Sequence, residues 1–222
     1  MAPLGGRRMS GPRRALVLVG GVVVPSRGLL RALADADLVI AADGGLRHAA
    51  PLGLTPDLLV GDLDSIDADA LAAHAGLDVE RHPSDKDALD LELALDAAVA
   101  RGADRITVVG GLSGRLDQTL ATVLVLQARH AAGATLEALD GRRALWPLRP
   151  GEIRELPLEP GERFSLLALD DTARVSVAGA RYPLTDAALA RALGLGVSNV
   201  ALGPVRVTAH AGAVVAVAPG PD

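Results

Sequence analysis

Aspartate side chains gather in one stretch of this 222-residue chain, at positions where they could bind a metal ion. The segment from Asp57 to Asp90 holds nine aspartates but only one arginine and one lysine. Clustered carboxylates repel one another unless a cation neutralises them. Carboxylate oxygens are ligands that Mg²⁺ prefers, and Mg²⁺ also bridges nucleotide phosphates. The stretch therefore indicates phosphoryl or diphosphoryl transfer, in which positioning and charge neutralisation do most of the catalysis.

Three consecutive predicted strands each end at such carboxylates. In a parallel sheet, ligands bind at the carboxyl ends of the strands, so we expect these side chains to lie at one edge. For any single aspartate a structural role stays open, because Asp is common in turns and favours the positive end of a helix. Ser84 could likewise cap a helix. The carboxylates are Asp43 after the second strand, Asp62 and Asp64 after the third, and Asp85, Asp87 and Asp90 after the fourth.

A glycine-rich loop follows the fifth predicted strand and opens a helix. Residues 110–117 read GGLSGRLD. Glycines at such a point let backbone N–H groups approach a phosphate, and a helix N-terminus favours anions. Arg115 could pair with a phosphate through its planar guanidinium. The loop lacks the Gly-Lys-Ser/Thr of a Walker loop. A plain strand-to-helix turn, with Asp117 as an N-terminal helix residue, is the structural alternative.

The elements that must position these residues alternate between strand and helix along the first two thirds of the chain. This alternation predicts an α/β fold, with a mostly parallel, Rossmann-like sheet and flanking helices. The predicted strands are 15–19, 37–41, 57–60, 78–82, 105–109 and 135–139. The predicted helices are 27–34, 46–50, 68–75, 87–100 and 117–132.

From Gly141 onward, prolines and turn pairs separate short apolar runs, which predicts a small all-β sandwich. The runs are 153–156, 164–169, 174–177, 205–209 and 214–217. We therefore predict a disordered N-terminus at residues 1–13, an α/β catalytic domain at 14–145 and a β-sandwich domain at 146–222.

Composition limits the possible partners. The net charge is −5 and there is no long basic run, so neither nucleic acid nor a membrane surface is expected. The absence of cysteine excludes disulfides and thiolate chemistry. The apolar run after Arg14 resembles the start of a signal peptide, but no cleavage site follows it, and no stretch approaches the ~20 apolar residues of a membrane span. We expect a cytoplasmic protein.

Six motifs, in order and with suitable spacing, resemble those of the thiamine pyrophosphokinases. The resemblance covers roughly residues 15–218. Each motif alone is a weak signal, but the set is specific. The motifs are ADGG at 42–45, PDLLVGDLDS at 56–65, DKDxxD at 85–90, GGxxGRxDQ at 110–118, GARYPL at 179–184 and GVSN at 196–199.

This resemblance implies transfer of a diphosphate from ATP to the hydroxyl of thiamine, with Mg²⁺ as the cofactor and AMP as the second product. It also implies a homodimer, in which thiamine lies where the sandwich of one subunit meets the α/β domain of its partner. By motif position, Asp62, Asp64 and Asp90 would bind metal and diphosphate, with Asp43 beside them as a fourth catalytic residue. ATP would contact Lys86, Asp87, Gly111, Gly114, Arg115, Asp117 and Gln118, and thiamine would contact Ser198 and Asn199.

Two departures from the family pattern keep other functions open. Leu89 stands where the family commonly has threonine, and 200–202 read VAL where an aromatic residue is frequent. One alternative is a related diphosphokinase that acts on another alcohol, such as a hydroxymethylpterin. The others are a non-catalytic nucleotide or thiamine sensor and a metal-dependent phosphohydrolase.

Overall fold

A computed structural model describes residues 13–64, 66, 76–191 and 193–218. Six parallel strands form its first half, in the spatial order β6-β5-β1-β2-β3-β4. The strand order reverses between β1 and β5, and such a reversal opens a crevice at the carboxyl ends of the strands. The strands are β1 (Arg13–Leu18), β2 (Leu38–Ala42), β3 (Leu58–Gly61), β4 (Asp78–Arg81), β5 (Ala103–Val109) and β6 (Thr135–Leu139).

Helices pack on both faces of this parallel sheet, because successive side chains of each strand point to opposite faces. Val17 of β1 joins a core with Leu95 and Leu126, whereas its neighbours Leu16 and Leu18 join a second core with Leu29. The helices are α1 (Arg27–Ala34), α2 (Asp90–Ala100) and α3 (Leu116–Ala131), and two 3₁₀ turns span Asp43–His48 and Ala50–Leu52.

Antiparallel strands form the second half and continue the same sheet. β7 pairs with β6 on one side and with β13 on the other. Phe164, which is fully buried, lies in a separate core that these strands enclose. The strands are β7 (Ala144–Leu148), β8 (Ile153–Leu156), β9 (Arg163–Ala168), β10 (Arg174–Ala180), β11 (Leu184–Ala188), β12 (Asn199–Ala211) and β13 (Val214–Ala218).

The mixed α/β fold with a large sheet is confirmed in this coarse form. The predicted division into two domains stays a prediction. In the structure, the pairing of β6 with β7 joins the two halves in one sheet. β7 and β11 were missed, and β7 contains Pro147, which reads as a break in a strand. Among the described helices, none is long and apolar enough to cross a bilayer.

Several predicted boundaries need correction. Arg13 lies in β1, not in a frayed terminus, and residues 1–12 lie outside the described residues. The predicted helix 46–50 is a pair of 3₁₀ turns, because glycines 44 and 45 are poor helix formers and Pro51 interrupts the segment. The predicted helix 68–75 also lies outside the described residues.

Candidate active site

A cleft of about 680 Å³ opens at the carboxyl ends of the parallel strands, where the strand order reverses. The segments that follow β1, β2, β3 and β5 line it, together with the loop before α2 and the first turns of α3. The strand-end prediction is therefore confirmed for most of the site. The predicted residues that line the cleft are Asp43, Asp62, Lys86, Asp90, Gly111, Gly114, Arg115 and Gln118.

Asp43 reaches the cleft through an unusual backbone conformation. Its φ is +42°, a region that costs free energy for a residue with a side chain and that is frequent at functional sites. Gly61 at the end of β3 packs against it, since a Cβ on Gly61 would lie 3.1 Å from the Asp43 Cβ. The ends of β2 and β3 thus pack together at this residue.

Gly45 gives the Asp-Gly-Gly motif a steric explanation. A Cβ at this position would lie 2.1 Å from the carbonyl oxygen of Leu18, so the 3₁₀ turn can approach β1 only with glycine there. We expect Gly45→Ala to destabilise the fold by about 3 kcal/mol, because the backbone of β1 must shift. Thermal unfolding measures this loss.

Gly28→Ala is the matched control for that substitution. Apart from its chain neighbours and the backbone of α1 itself, no atom of the described residues lies within 4 Å of the Cβ that it would add. It should leave the unfolding temperature unchanged or raise it slightly, by the ~0.5–1 kcal/mol that alanine gains over glycine in a helix. Equal stability of Gly45→Ala and Gly28→Ala would contradict the steric explanation.

The turn after β3 fixes Asp62 and Asp64 relative to each other. Leu63 between them has a φ of +68°, and the backbone N–H of Asp64 donates to Oδ1 of Asp62 at 3.0 Å. That hydrogen bond is the main reason why the pKa of Asp62 is lowered. Ser84 Oγ donates to Oδ2 of Asp64 at 2.8 Å. Ser84 therefore orients the Asp64 carboxylate. The alternative that Ser84 caps a helix is wrong, because α2 has Leu89 at its N-cap.

Lys86 lies between two of the predicted metal ligands. Its Nζ is 3.0 Å from Oδ1 of Asp90 and 4.0 Å from Oδ2 of Asp62, and its side chain is only 15% exposed. This ammonium group offsets the repulsion between the two carboxylates. The only lysine of the chain is thus placed where it can form an ion pair either with these carboxylates or with a phosphate.

Mg²⁺, predicted at Asp62, Asp64 and Asp90, is compatible with the donor set of the cleft. Asp62 and Asp90 line the cleft, whereas Asp64 does not line it and its carboxylate accepts the hydroxyl of Ser84. Within the described residues, no three acidic or histidine side chains converge closely enough to coordinate an ion by themselves. Proteins commonly hold Mg²⁺ with one or two carboxylates plus substrate phosphates and water. A cation that arrives with a nucleotide would suit these residues.

The glycine loop lines the cleft, but its first two backbone N–H groups are not available to a phosphate. Gly110 N–H donates to the Leu139 carbonyl at 3.0 Å, and Gly111 N–H donates to the Gly20 carbonyl at 2.9 Å. These glycines instead let the loop approach β1 and β6 closely. The interpretation that their amides cradle a phosphate is therefore wrong for both residues in this structure.

Ser113 fastens the glycine loop to the segment after β1. Val22 N–H donates to Ser113 Oγ at 2.8 Å, and Ser113 Oγ donates to the Val22 carbonyl at 3.2 Å. This pair of bonds joins residues 91 positions apart. Sequence reasoning missed this contact, and no local pattern could have indicated it.

Arg115 and Asp117 form an ion pair at the start of α3. Arg115 Nε and Nη2 donate to the two Asp117 carboxylate oxygens at 3.1 and 2.5 Å, which lowers the pKa of Asp117. Both side chains are mostly exposed, and such pairs contribute little free energy. A phosphate could therefore compete for the guanidinium. Asp117 itself does not line the cleft.

The remaining predicted residues lie outside the cleft. Asp87 is exposed before α2, and neither Ser198 nor Asn199 lines the cleft. Asn199 is 4% exposed, and its amide group both accepts the Tyr182 N–H at 3.0 Å and donates to the Tyr182 carbonyl at 2.7 Å. These two hydrogen bonds fix the backbone of the turn at Tyr182. Ser198, with a φ of +59°, lies exposed beside it.

Comparisons with known proteins identify relatives of the chain. Residues 29–136 match the family described as thiamin pyrophosphokinase, catalytic domain. The chain is 26% identical over 172 residues to thiamine pyrophosphokinase of Bacillus subtilis, with 73% of this chain and 77% of that protein covered.

Solved structures of similarly named proteins share its fold. A crystal structure of the Bacillus subtilis thiamine pyrophosphokinase gives a TM-score of 0.82 at 22% identity, covering 95% of this chain and 100% of that one. The thiamin pyrophosphokinase of Candida albicans gives 0.78 at 15% identity, covering 92% and 89%. The resemblance predicted from the six motifs is thus confirmed, as is the prediction that the chain is an enzyme.

Proposed function

Since the chain resembles the thiamine pyrophosphokinases in motifs, catalytic-domain sequence and fold, we propose that it transfers a diphosphate from ATP to the hydroxyl of thiamine. The products are thiamine diphosphate and AMP. One observation supports this proposal above the others. Carboxylates that follow β2 and β3 (Asp43 and Asp62) and the carboxylate that opens α2 (Asp90) meet in one cleft with Lys86 and Arg115. Such a mixture of charges suits a polyphosphate that carries its own cation.

The transfer requires one bond to form and one to break at the β-phosphorus of ATP. The thiamine hydroxyl oxygen attacks this phosphorus in line, and the bridging oxygen to the α-phosphorus leaves with AMP. The hydroxyl proton passes to a carboxylate of the cleft. Asp62 suits this role only in its ionised form, which its lowered pKa favours. Mg²⁺, held by Asp62, Asp64 and Asp90, would supply positive charge for the diphosphate oxygens.

The other site residues keep the roles that the family resemblance implies. Lys86, Gly111, Gly114, Arg115 and Gln118 would contact ATP from the wall of the cleft, with Asp87 and Asp117 at its margin. Ser198 and Asn199 would form the thiamine site, Asn199 by holding the turn that presents its neighbours. The division into an ATP-binding part at 14–145 and a thiamine-binding part at 146–222, like the cytoplasmic location, stays a prediction.

Two exposed apolar surfaces support a homodimer with the active site at the interface. Leu116, Leu120 and Leu124 form a stripe on α3 at helical spacing, and each is more than half exposed. Exposed apolar side chains also lie near Ser198 along the chain or, for Tyr182, beside its neighbour Asn199. Because all described residues that line the cleft lie between Val19 and Thr122, a second copy could bring its Ser198 region over the cleft. The apolar residues around Ser198 are Tyr182, Leu193, Leu195, Val197 and Leu202.

We expect the double substitution Leu120→Glu and Leu124→Glu to yield a folded monomer with little diphosphokinase activity. Both side chains are exposed in the single chain, so charges there should disturb only an interface. Light scattering measures the mass, and an activity assay measures turnover. Val99→Glu, at a half-exposed position of α2, is the control and should stay dimeric and active. An active monomer of the double variant would contradict a shared site.

Incubation of the purified protein with Mg-ATP, with and without thiamine, tests the proposed function. AMP that appears only with thiamine, in equal amount to thiamine diphosphate, is the expected result. ADP in place of AMP would mean transfer of a single phosphoryl group. Nucleotide hydrolysis without thiamine would favour a phosphohydrolase.

A second acceptor is worth testing for one specific reason. The segment after Asn199 reads Val200-Ala201-Leu202 and offers no aromatic ring to stack on thiamine. A hydroxymethylpterin in place of thiamine, assayed under the same conditions, separates the two diphosphokinase functions. Diphosphorylation of the pterin but not of thiamine would replace the proposed acceptor while it leaves the chemistry unchanged.

A further inference from the structure

Among the described residues, three cationic side chains line the cleft, and two of them are already paired with carboxylates. Lys86 lies beside Asp90, and Arg115 is held by Asp117. The third is Arg47, for which the described residues provide no carboxylate partner within ion-pair distance. Its recorded hydrogen bond runs from Nη2 to the Gly21 carbonyl oxygen at 3.4 Å, which is long for such a bond.

Arg47 projects from the 3₁₀ turn that begins at Asp43, and so enters the cleft from the carboxyl end of β2. Its guanidinium lies against the segment that follows β1. A Cβ on Gly20 would be 3.5 Å from Nη2. The strand order reverses beside β1, so Arg47 stands at the part of the sheet edge where α/β proteins bind nucleotides.

His48, the next residue after Arg47, does not add a second positive charge beside it. Burial and the Arg47 charge both lower the pKa of His48, which favours its neutral form. The permanent positive charge at this wall of the cleft is therefore that of Arg47. A guanidinium has several donors in a plane and makes strong hydrogen bonds to phosphate oxygens.

We propose that Arg47 binds the phosphate chain of ATP, and that it is an ATP-binding residue beyond the six motifs. This inference rests on the proposed function, because it takes the cleft as the ATP site. On binding, the guanidinium exchanges its long contact with Gly21 for phosphate oxygens. Lys86 and Arg115 must leave carboxylates to do the same, whereas Arg47 has none to leave among the described residues.

Isothermal titration calorimetry with ATP, in buffer with magnesium and without thiamine, measures the affinity for ATP separately from turnover. We expect Arg47→Gln to weaken ATP binding about 10-fold or more, since the hydrogen bonds of a guanidinium to phosphate oxygens are charge-assisted and strong. Arg47→Lys should retain part of the affinity. Adenosine, which lacks the phosphates, should bind the wild-type protein and Arg47→Gln equally.

Arg31→Gln is the matched control. Arg31 is an exposed arginine of α1 that lines a different groove, so its loss should leave ATP affinity unchanged. Unchanged ATP binding by Arg47→Gln would overturn the inference and leave the proposed function intact. Equal weakening for adenosine and ATP would also overturn it, because the effect would then be structural. Failure of the wild-type protein to bind ATP would overturn the proposed function, and this inference with it.

Discussion

Asp62→Asn is expected to lower turnover about 100-fold or more, which is the usual loss when one electrostatic contact to a transition state is removed. The asparagine amide oxygen can still accept the Asp64 N–H, which Asp62 Oδ1 accepts at 3.0 Å in the wild type. The turn at Leu63 should therefore persist. What is lost is a negative charge that would bind the cation accompanying ATP and could receive the hydroxyl proton. Steady-state kinetics with saturating ATP and thiamine measure the loss.

Asp104→Asn supplies the control for this substitution. Asp104 is an exposed aspartate of β5 that does not line the cleft, so the same chemical change should leave turnover near the wild-type value. Both variants should unfold close to the wild-type temperature. Normal turnover in a folded Asp62→Asn protein would remove Asp62 from the catalytic site.

Glu152→Gln is expected to destabilise the protein by about 3 kcal/mol, because it removes the charge from a network in which Glu152 forms a mostly buried ion pair with Arg154 and accepts a hydrogen bond from His130. His130 is fully buried and its Nδ1 accepts the Leu136 N–H at 3.2 Å, which assigns the ring proton to Nε2. Nε2 then donates to Glu152 Oε2 at 2.5 Å. Glu152 also pairs with Arg154 at 3.0 Å and thereby ties α3 to β8.

Calorimetry should show an unfolding temperature about 6–12 °C lower in Glu152→Gln, since ~1 kcal/mol shifts it by ~2–4 °C in a chain of this size. Glu155→Gln, in β8 and three residues after Glu152, is the control. Glu155 and Arg206 are both more than half exposed, and a surface pair of this kind contributes at most about 1 kcal/mol. Equal stability of the two variants would show that the Glu152 network stabilises the fold no more than the exposed Glu155–Arg206 pair does.

The same network predicts a pH dependence. Burial alone would raise the pKa of Glu152, but the hydrogen bond from His130 and the charge of Arg154 lower it from 4.5 to about 2. A carboxylate with a lower pKa in the folded chain stabilises the fold above pH 4.5, and this contribution is lost as the pH falls from 4.5 to 2. The wild-type protein should therefore lose more stability over that range than Glu152→Gln does.

Much of the site could be predicted because it depends on local patterns. The apolar runs before Asp43 and Asp62 indicate buried strands, and parallel strands bring their carboxyl ends to one edge. The helix pattern that begins near Asp90 completes the group. Three strand ends therefore met at one cleft as expected, although the sequence could not show that Lys86 would lie between Asp62 and Asp90.

The rest depends on contacts between distant segments. The Gly111 amide donates to Gly20, and Ser113 bonds to Val22, across about 90 residues of chain. Periodicity carries no information on such pairings. Arg47 was missed for a similar reason, since an arginine on a short turn becomes notable only when its neighbours in the cleft are known.

The fate of the β-phosphorus of ATP tests the central claim most directly. ATP labelled at that atom is incubated with the protein, magnesium and thiamine, and the products are separated. Transfer of a diphosphate predicts that the label appears in thiamine diphosphate while AMP carries none. Label retained in ADP, with thiamine unmodified or singly phosphorylated, would contradict the proposed reaction.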